Sequence, residues 1–343
     1  MTFARPLLAA LVTFAGLAVL VGRDDVRPAL PFGVGVVFTA MVDHGGRLRG
    51  RVVPMVGTGV AITLGTFLGG IVSNGTWGHI ILGGVLAALC GFAGAAGTSW
   101  MFGGILTLVV YTIFSGAPIE LLAAGQNATW MAAGSAVMLA AMVIVHGIGH
   151  LAGRRSPAAV SPVPARNAWV RARDHLELHD QYVVHAIRLA IVIVVAIVLE
   201  EALAFPHSYW IPMTVAWITR PDLNGTVERV ILRVVGTLVG IALAGTFILT
   251  LDPSDALSVL MTSIAVFIVL VFLVPNYAIA VVGITIFVFF LFDIVGYPVR
   301  QMIPTRIVST LIAAALVTIA IHIGPRGEPV PDPTVTGPVP DPS

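Results

Sequence analysis

Arg229 and Arg233 stand four residues apart, so on a helix they share a face one turn apart. Two guanidinium groups on one face can draw in an anion. The same pair can also serve as an anchor, holding a helix end at the membrane surface. Just ahead lie Tyr209 and Trp210, flat side chains that either stack on a ring or sit in an interfacial belt. Further on, Asp293 sits in FLFDIVGYP and Arg306 opens another apolar run. Ionisable groups at such depths are functional candidates by default. As a pair, Asp293 and Arg306 would be structural or, once exposed by a conformational change, able to couple protons to an anion. Glu200, Glu201, His207 and Arg300 gather at helix ends on the same side. His146 and His150 have a spacing that metals use, but no third ligand lies near in sequence. His175, His179 and His185 with their acidic neighbours give only a weak signal, so no metal is assigned. There is no Walker-type loop, dinucleotide fingerprint or nucleophile elbow. The reading is therefore not an enzyme, with no cofactor.

The elements that carry these residues are membrane helices. The chain has 343 residues, 57% hydrophobic and 10% charged, with a mean hydropathy of +0.99. A soluble domain carries about 25% charged residues. So little charge cannot cover a water-facing surface, and the bilayer is the expected partner. A net charge of +1 says nothing about nucleic acid; there is no basic tract, and no nucleic-acid partner is expected. All 18 basic residues are Arg, and the lone Cys90 excludes an internal disulfide.

Apolar runs predict spans at Pro6–Val21, Ala29–Val42, Val52–Val72, Ile80–Ala96, Ser99–Phe114 and Thr129–Leu151. A second set follows at His185–Leu203, Tyr209–Ile218, Val230–Leu251, Ala256–Leu273, Tyr277–Leu291 and Arg306–Ile323. The first run is read as a span, not a cleaved leader, because no small-x-small site precedes Arg23-Asp24-Asp25. With both termini cytoplasmic, fourteen arginines face the cytoplasm and four face outward, as the positive-inside rule requires. The expectation is a multi-pass protein of a bacterial cell membrane, all-α, with about 12 transmembrane helices as two parallel six-helix repeats.

The expected divisions are residues 1–152, a linker at 153–184, a second repeat at 185–323 and a Pro-rich tail at 324–343. An offset of 179 residues carries Asp43 to Asp222, Gly46 to Gly225, Val56 to Val235, Gly57 to Gly236 and Thr58 to Thr237. Asp43 and Asp222 are read as turn-shaping or Arg-paired, and Thr226 as a cap for the helix that follows. Small residues recur every four positions at Gly57, Ala61, Gly65 and Gly69, and again at Gly236, Gly240 and Ala244. Such ladders let helix backbones approach closely. These two helices are expected at the contact between the halves.

Tyr209-Trp210, the Arg220-Pro221-Asp222 turn, Arg229, Arg233 and the Gly236-Thr237 start of the ladder together resemble the FUSC family. That family comprises fusaric-acid-resistance and aromatic-acid-exporter membrane proteins, more distantly similar to plant aluminium-activated malate channels. The resemblance is best from about Ala186 to Ala244. The first half looks like a degenerate copy, with Pro31-Phe32 in place of the aromatic pair and no Arg-Pro before Asp43. The resemblance implies proton-driven efflux of aromatic or other organic carboxylates along a path near the axis of a two-fold bundle. Arg229, Arg233, Tyr209 and Trp210 would then bind the small organic anion. Other expectations are an anion channel of the same architecture and a non-transporting membrane scaffold; a homo-oligomer is left open.

Overall fold

The computed structural model describes residues 3–72, 77–116, 118–151, 167–221 and 223–323. The tail, the linker from 153 to 166 and Asp222 lie outside these residues. The described residues form thirteen α-helices: α1 (Ala4–Val21), α2 (Ala29–Met41), α3 (Leu48–Ile71), α4 (Trp77–Phe92), α5 (Thr98–Ser115), α6 (Leu121–Leu151), α7 (Ala168–Asp174), α8 (Gln181–Leu203), α9 (Trp210–Ile218), α10 (Leu223–Leu251), α11 (Asp255–Phe272), α12 (Tyr277–Ile294) and α13 (Val299–Ile323). A 3-10 turn at Ala93–Ala96 ends the α4 stretch.

Ten of these helices are long and apolar enough to cross a bilayer, and the protein is a multi-pass membrane protein. Helices α2 and α9 are shorter. Nine residues of α9 rise only about 14 Å, against a hydrocarbon core of about 30 Å. Both short helices sit in the interior instead of facing lipid. Every residue of α9 is buried, and α2 is buried from Pro31 to Met41. Helices α5 and α12 are the next most enclosed. A helix that is apolar all round can be buried on every side, and α9 has that composition.

The packing differs from expectation in one respect. The glycine-bearing helices do not pair with each other; α3 packs on α5 and α6, and α10 on α12 and α13. A Cβ on Gly69 would stand 2.6 Å from the Tyr111 carbonyl oxygen, and one on Gly236 would stand 2.8 Å from that of Ala278. Gly57 lies under the Trp100 ring, Gly65 against Thr107 and Gly240 against Thr285. The ladders therefore seat α5 and α12, the two most enclosed of the long helices. Contact between the two parts of the chain falls to other pairs: α1 on α11, α4 on α8 and α5 on α9. The first helix of each part thus lies against a later helix of the other.

The connections at one end of the bundle are built from arginine. Asp43 pairs with Arg51 (Oδ2 to Nη2, 2.7 Å), accepts from the Gly45 amide, and its carbonyl accepts from Arg5. Arg171, on α7, donates to the Ala96 carbonyl. This end also carries Arg220 and Arg229, and is called the basic face below.

Candidate functional site

The site is organised by α9 and the connection that follows it. The chain leaves α9 at Thr219, whose backbone is extended, and Arg220 turns into the core. Thr226 does not cap α10, which begins three residues earlier. Its hydroxyl instead closes on the Arg220 backbone, accepting from the amide (3.1 Å) and donating to the carbonyl (3.3 Å). That clasp satisfies backbone groups left over at the end of a very short helix, and it fixes where the Arg220 side chain points.

Four arginines lie on aromatic rings in this region. The guanidinium carbon of Arg229 is 4.1 Å from the Tyr277 ring centroid, and that of Arg220 is 5.0 Å from Phe102. Arg233 lies 5.7 Å from Trp217, and Arg306 lies 4.9 Å from Trp210. Trp217 and Trp210 are two turns apart on α9, so the cations follow that helix inward from the basic face. Beyond Trp210 comes an aromatic cluster: His207 stacks on Trp210 at 5.1 Å, with Tyr209, Phe292 and Tyr297 edge-on around it. His207 holds a left-handed backbone (φ 62°) in the connection between α8 and α9, and burial lowers its pKa.

Burial divides the four cations. Arg229 is half-buried and opens on a cavity of about 930 Å³ at the basic face, together with Arg220, Glu228 and Tyr277. Arg233 and Arg306 are enclosed, at 0% and 1% exposure. None of the three guanidinium nitrogens on either residue meets hydrogen-bond geometry with a partner, although the Tyr277 hydroxyl comes near enough to interact with Arg233. The two also stand close enough to repel one another, with the Tyr277 hydroxyl beside Arg233 and that of Tyr209 beside Arg306. A cation–π contact offsets about 0.5–2 kcal/mol. The effective penalty for burying an ion is several kcal/mol each. The rings therefore do not balance two unpaired, mutually repelling guanidinium groups. What this arrangement lacks is a negative charge.

Of the residues marked in the sequence, Tyr209, Trp210, Arg229 and Arg233 lie in one column. Arg306 joins them, and not Asp293 as expected. Asp293 accepts from the Ser258 hydroxyl at 2.7 Å, so it faces α11. Arg306 faces α9 and α10, two helices on which α13 packs. The proton-coupling pair expected from the sequence is thus not formed. His146 lies 3.3 Å from Arg51 (Nδ1 to Nη1), a cationic neighbour that disfavours a metal there. Trp217 and the inward turn of Arg220 were not singled out in the sequence. One signal was present: neither Arg233 nor Arg306 has a carboxylate one turn away on its own helix.

Residues 192–320 match the family model described as fusaric acid resistance protein-like, and the whole arginine–tryptophan column falls inside them. Among curated proteins, the inner membrane protein YccS of Escherichia coli (strain K12) is 30% identical over 161 residues, 47% of this chain and 22% of that protein. The uncharacterized protein YhfK of the same strain is 32% identical over 146 residues, 42% of this chain and 20% of that one. The uncharacterized protein ORF2 of Neisseria gonorrhoeae is 27% identical over 164 residues, 48% of this chain and 39% of that one. The match thus spans only about a fifth to two fifths of these relatives' length. No solved structure matches.

Proposed function

We propose, from the match of residues 192–320 to the fusaric acid resistance protein-like family model, that this chain is a secondary transporter of organic carboxylate anions across the bacterial inner membrane. One observation carries the reading: Arg233 and Arg306, fully buried and unpartnered, lie on the faces of Trp217 and Trp210. A carboxylate supplies the missing charge, and an aromatic or apolar body has indole surface to lie on. A hydrogen bond to a charged group contributes about 1.5–3 kcal/mol, so each arginine is worth roughly 10- to 100-fold in anion affinity.

The basic face is read as cytoplasmic, because most arginines lie there. Arg220 and Arg229 then form a loading vestibule, and the direction is export. The two-repeat reading has support from packing. A shift of 179 residues carries α5 onto α12 end for end, and α3 on α5 recurs as α10 on α12. The site itself is one-sided. The same shift places Pro54, Asn127, Phe38 and Pro31 where the second half has Arg233, Arg306, Trp217 and Trp210. One loaded route, near the buried helices, is therefore proposed, and not two equivalent ones. The enclosure of Arg233 and Arg306 favours a carrier over a channel, since a channel needs a continuous lumen.

Reconstituted vesicles test this reading. Labelled benzoate should move with saturable kinetics, and Arg233→Gln or Arg306→Gln should lower the flux at least tenfold while insertion stays normal. Non-saturating, voltage-driven current would make it a channel. No flux, with a specific protein co-purifying, would make it a scaffold.

A further inference from the structure

Near the end of α8 furthest from the basic face, Glu200 is 2% exposed, and neither of its carboxylate oxygens has a hydrogen-bond partner. Its neighbour Glu201 differs, with Oε1 at 3.1 Å from Nδ1 of His79 on α4. The His79 carbonyl in turn accepts from the Tyr111 hydroxyl of α5. Tyr209, at the start of α9, stands close enough to both Glu200 and Arg306 to feel the charge of each. An unpartnered carboxyl and an unpartnered guanidinium thus flank one buried tyrosine. The other titratable groups around Glu200 are Glu201 on its own helix, His79 from α4 and Tyr111 from α5.

A buried carboxylate without a partner is tolerated when it is protonated or when a cation's field reaches it. In a low-dielectric interior, one more negative charge near Arg306 opposes the binding of an anion there. Two unit charges about 10 Å apart at an effective dielectric of about 20 interact strongly enough to change binding roughly tenfold. We propose that Glu200 is the proton-binding group that sets anion occupancy at Arg306, with Tyr209 positioned between them. While Glu200 is ionised, its charge competes with an incoming carboxylate for the field of Arg306. Binding of a carboxylate beside Arg306 therefore drives an ionised Glu200 to take up one proton from water. When the anion leaves, the proton leaves with it. By linkage, the proton raises anion affinity by the same factor as the anion raises proton affinity. The inference rests on the transport reading and replaces the Asp293–Arg306 pair as the source of coupling. A monocarboxylate carried this way moves with its proton and without net charge, so export is driven by the outward gradient of the anion and not by the proton gradient.

The test is calorimetric binding of benzoate to the full chain in nanodiscs between pH 5.5 and 8.5, in two buffers of different ionisation enthalpy. The expected result is affinity roughly tenfold weaker at the top of the range, with uptake of up to one proton per benzoate. Glu200→Gln should bind with the low-pH affinity throughout and take up no proton. A Glu200→Gln variant that keeps the wild-type slope overturns the proposal. Should that variant fail to fold, the wild type alone decides, because zero proton uptake across the range also overturns it. Absence of benzoate binding at every pH overturns the transport reading beneath it. Arg306→Gln separates the two roles: it should lose binding at all pH values, whereas Glu200→Gln should lose only the pH dependence.

Discussion

Arg233 and Arg306 act against the stability of the fold they sit in. Each is buried without a hydrogen bond, and replacing such a cation by an apolar side chain of similar length removes the desolvation cost. Arg233→Met and Arg306→Met should therefore raise the midpoint of thermal unfolding, by the equivalent of about 1–3 kcal/mol, while abolishing benzoate transport. A scan of both variants beside a flux assay checks this. Arg233→Lys should not rescue, because an ammonium lacks the planar face that lies on Trp217. The pH dependence belongs to Glu200 and not to His207. Burial holds the His207 imidazole below its ordinary value, so it stays neutral from there upward in pH. His207→Gln should leave the pH profile of benzoate binding above pH 6.5 unchanged. Of these residues, sequence reasoning reached Tyr209, Trp210, Arg229 and Arg233, because spacing along one helix is visible in the chain. It paired Arg306 with Asp293, because which neighbouring helix a side chain faces is decided by packing that no single helix encodes.

At the level of helices, the apolar runs mark twelve segments, and each falls on one α-helix, with ends that differ by a few residues. The starts of α6 and α13 fall earlier than expected, at Leu121 and Val299. Polar residues such as Gln126, Asn127 and Gln301 weaken the apolar signal there without breaking a helix whose backbone is satisfied internally. The length of α9 was readable, but its depth was not. A short apolar run looks the same whether it is re-entrant or enclosed, and its enclosure comes from α5, α8 and α13. The glycine ladders were legible as close-packing faces, and their partners were not. Gly236→Val would drive a methyl into the Ala278 carbonyl, so it should destabilise by about 1–3 kcal/mol and loosen the seat of α12. Thermal unfolding of the purified variant measures it.

The whole molecule is held together by exchange between its two parts, α1 with α11 and α4 with α8. The expectation that the two halves meet at their glycine-bearing helices gives way to halves that interlock through α1, α4, α8 and α11 around short central helices. Orientation is tested on a Cys90→Ser background. Arg47→Cys and Glu228→Cys, both at the basic face, should label from the cytoplasmic side alone, and labelling from opposite sides would break the parallel reading of the halves. The central claim is that an anion completes the charge of Arg233 and Arg306 beside Trp217 and Trp210. The chain has six tryptophans, and the four at positions 77, 100, 130 and 169 can be changed to Phe. In that variant, 4-nitrobenzoate should quench the remaining fluorescence saturably, and the added changes Arg233→Gln and Arg306→Gln should remove the saturable component. Saturable quenching that survives with unchanged affinity in the double Gln variant would contradict the account.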